Sequence, residues 1–118
     1  MDVTCRLGLD VGSTTLKVAL IDTSGTLLLG RYERHRADIR TTLRTVLENV
    51  VSTVENSHPG MKVYASVTGS GGLSVSQLLG LPFVQEVVAC AAAVRSRAPS
   101  TDVAVELGGE DAKITYFR

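Results

Sequence analysis

Leu7-Gly-Leu-Asp-Val-Gly-Ser-Thr-Thr-Leu-Lys17 sets two apolar runs on either side of the turn Gly12-Ser-Thr-Thr15, which is rich in glycine and hydroxyls. Such a pattern reads as a β-hairpin with a polar loop. Glycine leaves the loop backbone bare, and short hydroxyl side chains add donors without bulk, so an anion can approach the amides. Leu107-Gly-Gly-Glu-Asp-Ala-Lys113 repeats the arrangement after the short apolar run from Asp102 to Leu107. Two turns of this kind suggest a phosphate clamp; the plainer alternative is a pair of ordinary turns.

Working outward, Thr4 to Leu9, Leu16 to Ile21 and Thr26 to Arg34 read as three strands, the second and third joined by the turn Asp22-Thr-Ser-Gly25. The period then changes. Ile39, Leu43, Val46, Leu47, Val50, Val51 and Val54 recur at helical spacing, with Asp38 placed to cap the helix. After Pro59-Gly60, the run from Lys62 to Thr68 alternates Val63, Ala65 and Val67 and empties into Gly69-Ser-Gly-Gly72. That glycine loop reads first as a turn at a strand end and second as backbone facing a cleft or a partner.

Leu73 to Leu79 reads as a short helix broken near Gly80-Leu-Pro82, and Phe83 to Arg97 as a longer one with Val84, Val87, Val88, Ala91 and Ala92 on one face, an Ala-rich surface that permits close packing. Asp102 to Leu107 follows as a strand, and Ile114 to Phe117 still has strand character. The order predicts an α/β domain with a five-stranded mixed sheet, three antiparallel strands then two parallel ones, and helices on its faces. Right-handed crossovers make the later strands parallel to the first and open both glycine turns at one sheet edge, where open α/β sheets bind ligands. This is the topology of a ribonuclease-H-like half-lobe.

Composition narrows the function classes. The 118 residues are 44% hydrophobic and 20% charged, as in ordinary globular domains. Twelve basic and twelve acidic residues cancel, and aromatic content is 4%, so neither nucleic acid nor a membrane surface is an expected partner. No apolar run approaches the length of a membrane span and no leader pattern opens the chain, so the expected compartment is the cytoplasm. Cys5 and Cys90 lack metal or disulfide-framework spacing, and His35 and His58 are isolated, so none of the four is expected to ligate a metal or catalyse. The basic run Arg31, Arg34, His35, Arg36 and Arg40 reads as a solvated strand edge and helix start.

The first motif resembles the phosphate turn of the superfamily that joins sugar and acetate kinases, heat-shock chaperone ATPases and actin. Together with Val67-Thr-Gly-Ser-Gly71, Phe83-Val-Gln-Glu-Val-Val-Ala-Cys90 and Glu106-Leu-Gly-Gly-Glu-Asp-Ala-Lys113, it resembles the activator ATPases of 2-hydroxyacyl-CoA dehydratases, relatives of the benzoyl-CoA reductase ATPase subunits. The resemblance covers nearly the whole chain, and the ordered set is more specific than the first motif alone. It implies that residues 1–118 are a single N-terminal subdomain of an actin-like ATPase fold, a fragment of a longer protein.

The resemblance also implies a site. Asp10 would stand near magnesium, Gly12, Ser13, Thr14 and Thr15 would meet the β- and γ-phosphates of ATP or ADP, and Lys17 would bring a cation or else point to solvent. Gly108 and Gly109 would form the second phosphate turn, with Glu106 or Asp111 supplying a catalytic carboxylate. The chain departs from the superfamily in carrying Glu106 where aspartate is usual, and Asp111 matches the activator pattern better. For Glu110, Asp111 and Lys113 the competing reading is a solvated turn.

Members of this family couple ATP hydrolysis in a homodimer to electron transfer from a bridging iron-sulfur cluster to the dehydratase. Their cluster cysteines follow the second phosphate turn, so the parent protein is expected to hold a cluster and this chain none. Lacking a second lobe, the chain by itself is expected to hydrolyse ATP negligibly. Two other functions compete: the nucleotide-binding subdomain of a sugar or carboxylate kinase, and a nonenzymatic binding domain.

Overall fold

A computed structural model describes residues 4–108 and 111–117. The chain opens with a meander of β1 (Thr4–Val11), β2 (Thr15–Asp22) and β3 (Leu27–Arg34), followed by α1 (Ile39–Ser57) and β4 (Lys62–Thr68). Next come α2 (Gly72–Leu79), α3 (Glu86–Arg97), β5 (Val103–Leu107) and β6 (Ala112–Tyr116). β1 pairs antiparallel with β2 and parallel with β4, and the sheet runs β3-β2-β1-β4. The mixed sheet, the meander and the parallel return after α1 agree with the sequence reading.

Alternation explains the core. Cys5, Leu7, Leu9 and Val11 of β1 and Leu16, Val18 and Leu20 of β2 point to one face, where they meet Leu43, Val46 and Val50 of α1, Val67 of β4 and Val75 of α2. Each such aliphatic side chain gains about 1.5–3 kcal/mol on full burial. Asp38 accepts from Thr41 N at 3.2 Å and caps α1 as expected, while Val51 falls off the buried stripe and is exposed. Gly80, in the left-handed conformation with φ +66°, ends α2. Cys5 is buried and Cys90 half-buried, both as free thiols. His58 is the exposed C-cap of α1.

The sheet has four strands rather than five. The run after α3 does not join it: β5 pairs antiparallel with β6 in a separate two-stranded sheet. A hairpin partner a few residues away closes at much less entropic cost than a non-local parallel neighbour. The place beside β4 is taken by Pro82 to Val84, where Val67 N donates to Pro82 O at 2.9 Å and Val84 N donates to Val67 O at 2.8 Å. The onset of α3 at Glu86 cuts that pairing short.

The start of the long helix and the close packing expected of it are also corrected. The helix starts at Glu86 rather than Phe83, none of its residues is buried, and Val87 and Val88 are exposed. Val103, Val105, Leu107, Ile114 and Tyr116 of the hairpin are exposed as well. The sequence pattern detects apolar residues but not whether a facing layer exists to cover them.

Candidate functional site

Because odd-numbered residues of β1 face the core, Asp10 points to the opposite face at the end of the strand, half-exposed. Lys17 is its register partner on β2, and Lys17 Nζ lies 3.1 Å from Asp10 Oδ2. The ammonium also stands 5.9 Å from the centroid of the Tyr32 ring on β3. A pair this exposed holds its partners loosely, typically by 0–1 kcal/mol, so Lys17 can turn to a better anion.

The loop after β1 closes through Gly12 N donating to Thr15 O at 2.8 Å. Ser13 and Thr14 form its exposed tip, whereas the Thr15 side chain is buried. The turn after β4 supports the loop from the side: Gly71 N donates to Val11 O at 2.8 Å, and Gly69, at φ +101°, passes against the end of β1. Beside Asp10 on β4, its register partner Thr68 has a buried hydroxyl oxygen without a hydrogen-bond partner.

The second glycine turn faces the same cleft from the other sheet. Gly108 N donates to Asp111 O at 2.8 Å, and Glu106, Gly108, Asp111 and Lys113 line the cleft opposite Asp10, Lys17 and the Gly12–Thr15 loop. Gly109 and Glu110 lie outside the described residues. Lys113 Nζ donates to Glu86 at the start of α3, and that hydrogen bond raises the Lys113 pKa. The site residues expected from the sequence and described here thus come together around one cleft. Lys17 lines the cleft through its contact with Asp10 while its side chain stays partly open to solvent.

Sequence reasoning gave second place to two residues of this cleft and missed others. Gly69 and Ser70 line it, although the glycine loop read first as a plain turn; the signal was its place at the end of a strand parallel to β1. Glu86 enters because α3 starts at that residue. His35, read as part of a solvated basic run, is buried behind the Gly12–Thr15 loop, while Arg31, Arg34, Arg36 and Arg40 are exposed as expected.

No family model and no curated protein matches the chain significantly. Solved structures do. Component A of (R)-2-hydroxyglutaryl-CoA dehydratase from Acidaminococcus fermentans superimposes with a TM-score of 0.78 at 21% identity, over 98% of this chain and 43% of that one. The fold is that of the dehydratase activators. The activator of 2-hydroxyisocaproyl-CoA dehydratase from Clostridium difficile, solved with bound ADPNP, gives a TM-score of 0.75 at 22% identity, over 97% of this chain and 41% of that one. An ethanolamine utilization protein from Carboxydothermus hydrogenoformans follows with a TM-score of 0.60, 19% identity, and 95% and 47% coverage. The chain spans less than half the length of these proteins and shares their fold over that part. Among the described residues no helix is long and apolar enough to cross a membrane.

Proposed function

We propose that the chain is the phosphate-binding half-site of an ATPase that activates a 2-hydroxyacyl-CoA dehydratase. The observation that carries this reading is the convergence of two glycine turns, one from each sheet, on a single cleft with Asp10 at its floor. Ser13 and Thr14 offer amides and hydroxyls to the β- and γ-phosphates, Gly12 leaves room for their approach, and Gly108 lines the opposite side. Lys17 leaves Asp10 to meet phosphate charge. Asp111, with Glu106 beside it, is the carboxylate suited to orient the attacking water.

Magnesium fits the donors at hand in the form that keeps several waters. The cleft offers hard oxygens, with Asp10 at the loop, and no group of three or more His, Cys, Asp or Glu residues suited to a metal occurs among the described residues. When bound with ATP, it offsets phosphate charge. In a protein of the neighbours' length, this lobe is the N-terminal subdomain, the nucleotide is closed over by a second lobe, and a homodimer with an iron-sulfur cluster passes an electron to its dehydratase in the cytoplasm. The chain by itself binds phosphates without appreciable turnover.

Amide chemical shifts of the chain titrated with magnesium and ADPNP test the half-site, with shifts at Ser13, Thr14 and Gly108 expected. Undisturbed amides at all three overturn it. Iron and acid-labile sulfide assayed on the anaerobically purified longer protein test the activator role, and a nucleotide-binding protein free of both removes it.

A further inference from the structure

His35 is 4% exposed, directly after the last residue of β3, in a stretch whose other basic residues face solvent. Its ring sits behind the Gly12–Thr15 loop, with Nε2 3.0 Å from the Gly12 carbonyl oxygen. Ala37 N donates to Nδ1 at 3.2 Å, and His35 N donates to the Thr14 carbonyl at 3.1 Å. The backbone that delivers this ring is itself unusual. Asp38 N donates to His35 O at 2.6 Å across a turn in which Arg36 and Ala37 have φ of +48° and +62°. Glycine or asparagine normally fills such positions, and strained non-glycine residues persist where surrounding contacts hold them.

A backbone N–H can only donate, so Nδ1 must be the unprotonated nitrogen. A neutral imidazole then meets both contacts in one way, with its proton on Nε2 and directed at Gly12 O. Carbonyl oxygens repel a bound phosphate. Within this loop the Gly12 and Thr14 carbonyls are engaged by His35, the Thr15 carbonyl by Gly12 N, and the Val11 carbonyl before it by Gly71 N.

We propose that His35 is a positioning residue for the phosphate loop: its ring, as the Nε2–H tautomer, holds the Gly12 carbonyl while its backbone N–H holds that of Thr14, and the ring contact fixes the loop in its anion-accepting shape. The proposal rests on the phosphate-site reading above. It assigns His35 no contact with substrate.

Two measurements on the 118-residue chain test it. Long-range proton–nitrogen correlation of the histidine rings reads the tautomer without any ligand; the Nε2–H pattern is expected for His35, and the Nδ1–H pattern overturns the proposal. Titration with inorganic tripolyphosphate and magnesium, followed at the Ser13 and Thr14 amides, then compares variants whose β1 and β4 amide shifts remain native. His35→Ala is expected to weaken binding about tenfold, the scale of one lost buried hydrogen bond, and His35→Gln, which keeps an N–H at similar reach, to restore most of it. Equal affinity in the wild type and H35A, or in H35A and H35Q, overturns the positioning role. Should the wild type fail to bind tripolyphosphate at all, the phosphate-site reading falls and the role of His35 with it.

Discussion

Gly69 lies so close to Asp10 that a Cβ in its place would stand 2.7 Å from the carboxylate Oδ1, and 2.3 Å from the Val11 carbonyl oxygen. Its φ of +101° adds a conformational demand that side chains resist. Gly69→Ala is therefore expected to cost about 3 kcal/mol, strain and overpacking together. Gly25→Ala is the control, because Gly25 has φ +86° but nothing within 4 Å of its Cβ position, and about 1 kcal/mol is expected there. Urea unfolding compares the two, and equal losses would show that contact with β1 is not what fixes Gly69.

Lys17→Met removes the partner of Asp10 but keeps much of the stem. Since the pair is half-exposed, stability should change by less than about 1 kcal/mol. Tripolyphosphate binding should weaken clearly in the same variant. If calorimetric titration finds affinity unchanged, Lys17 is a surface ion pair and nothing more.

Asp22 gathers three donors on one oxygen: Ser24 Oγ at 2.6 Å, Ser24 N at 2.9 Å and Thr26 N at 2.9 Å. These bonds, the Ser24 hydroxyl first, hold its pKa below the ordinary aspartate value. A carboxylate depressed on folding adds stability above its unfolded pKa and loses it as pH falls through the lower folded value. Carbon-detected NMR titration should place Asp22 below the exposed aspartates, and Ser24→Ala should move it back toward them. A midpoint indifferent to that substitution would contradict the assigned cause.

The two sheets should differ in what they tolerate. Leu9 is fully buried, so Leu9→Ala is expected to cost about 2–5 kcal/mol. Val105 on the hairpin is exposed, and Val105→Thr should stay within about 0.5 kcal/mol in thermal unfolding. Similar losses at both positions would mean that β5 belongs to the main core after all.

What the sequence made legible was local. The β1–β2 hairpin, the Asp22 turn, the Asp38 cap and the stripe of α1 each follow from contacts a few residues apart, and periodicity registers those directly. The two glycine turns were legible for the same reason. Partner choice was not: the run from Asp102 to Leu107 has the same apolar content whether it extends a sheet or forms a hairpin, and only the proximity of Ala112 to Tyr116 decides. Burial of α3 failed likewise, since Val87 and Val88 imply a covered face without providing the cover. His35 was hidden by its neighbours, whose charge suggested solvent, while its own role is set by a loop far back in the chain.

The parallel pairing of Asp10 with Thr68 spans the whole of β2, β3 and α1. In kinetic terms the meander can close early, whereas the wall carrying Gly69 and Ser70 arrives only with a contact of high sequence separation, the kind that slows folding. An anion that needs this wall would bind the native state and not its precursors. By mass action it would then deepen the native well, so tripolyphosphate should raise the thermal midpoint of the chain in proportion to the logarithm of its concentration.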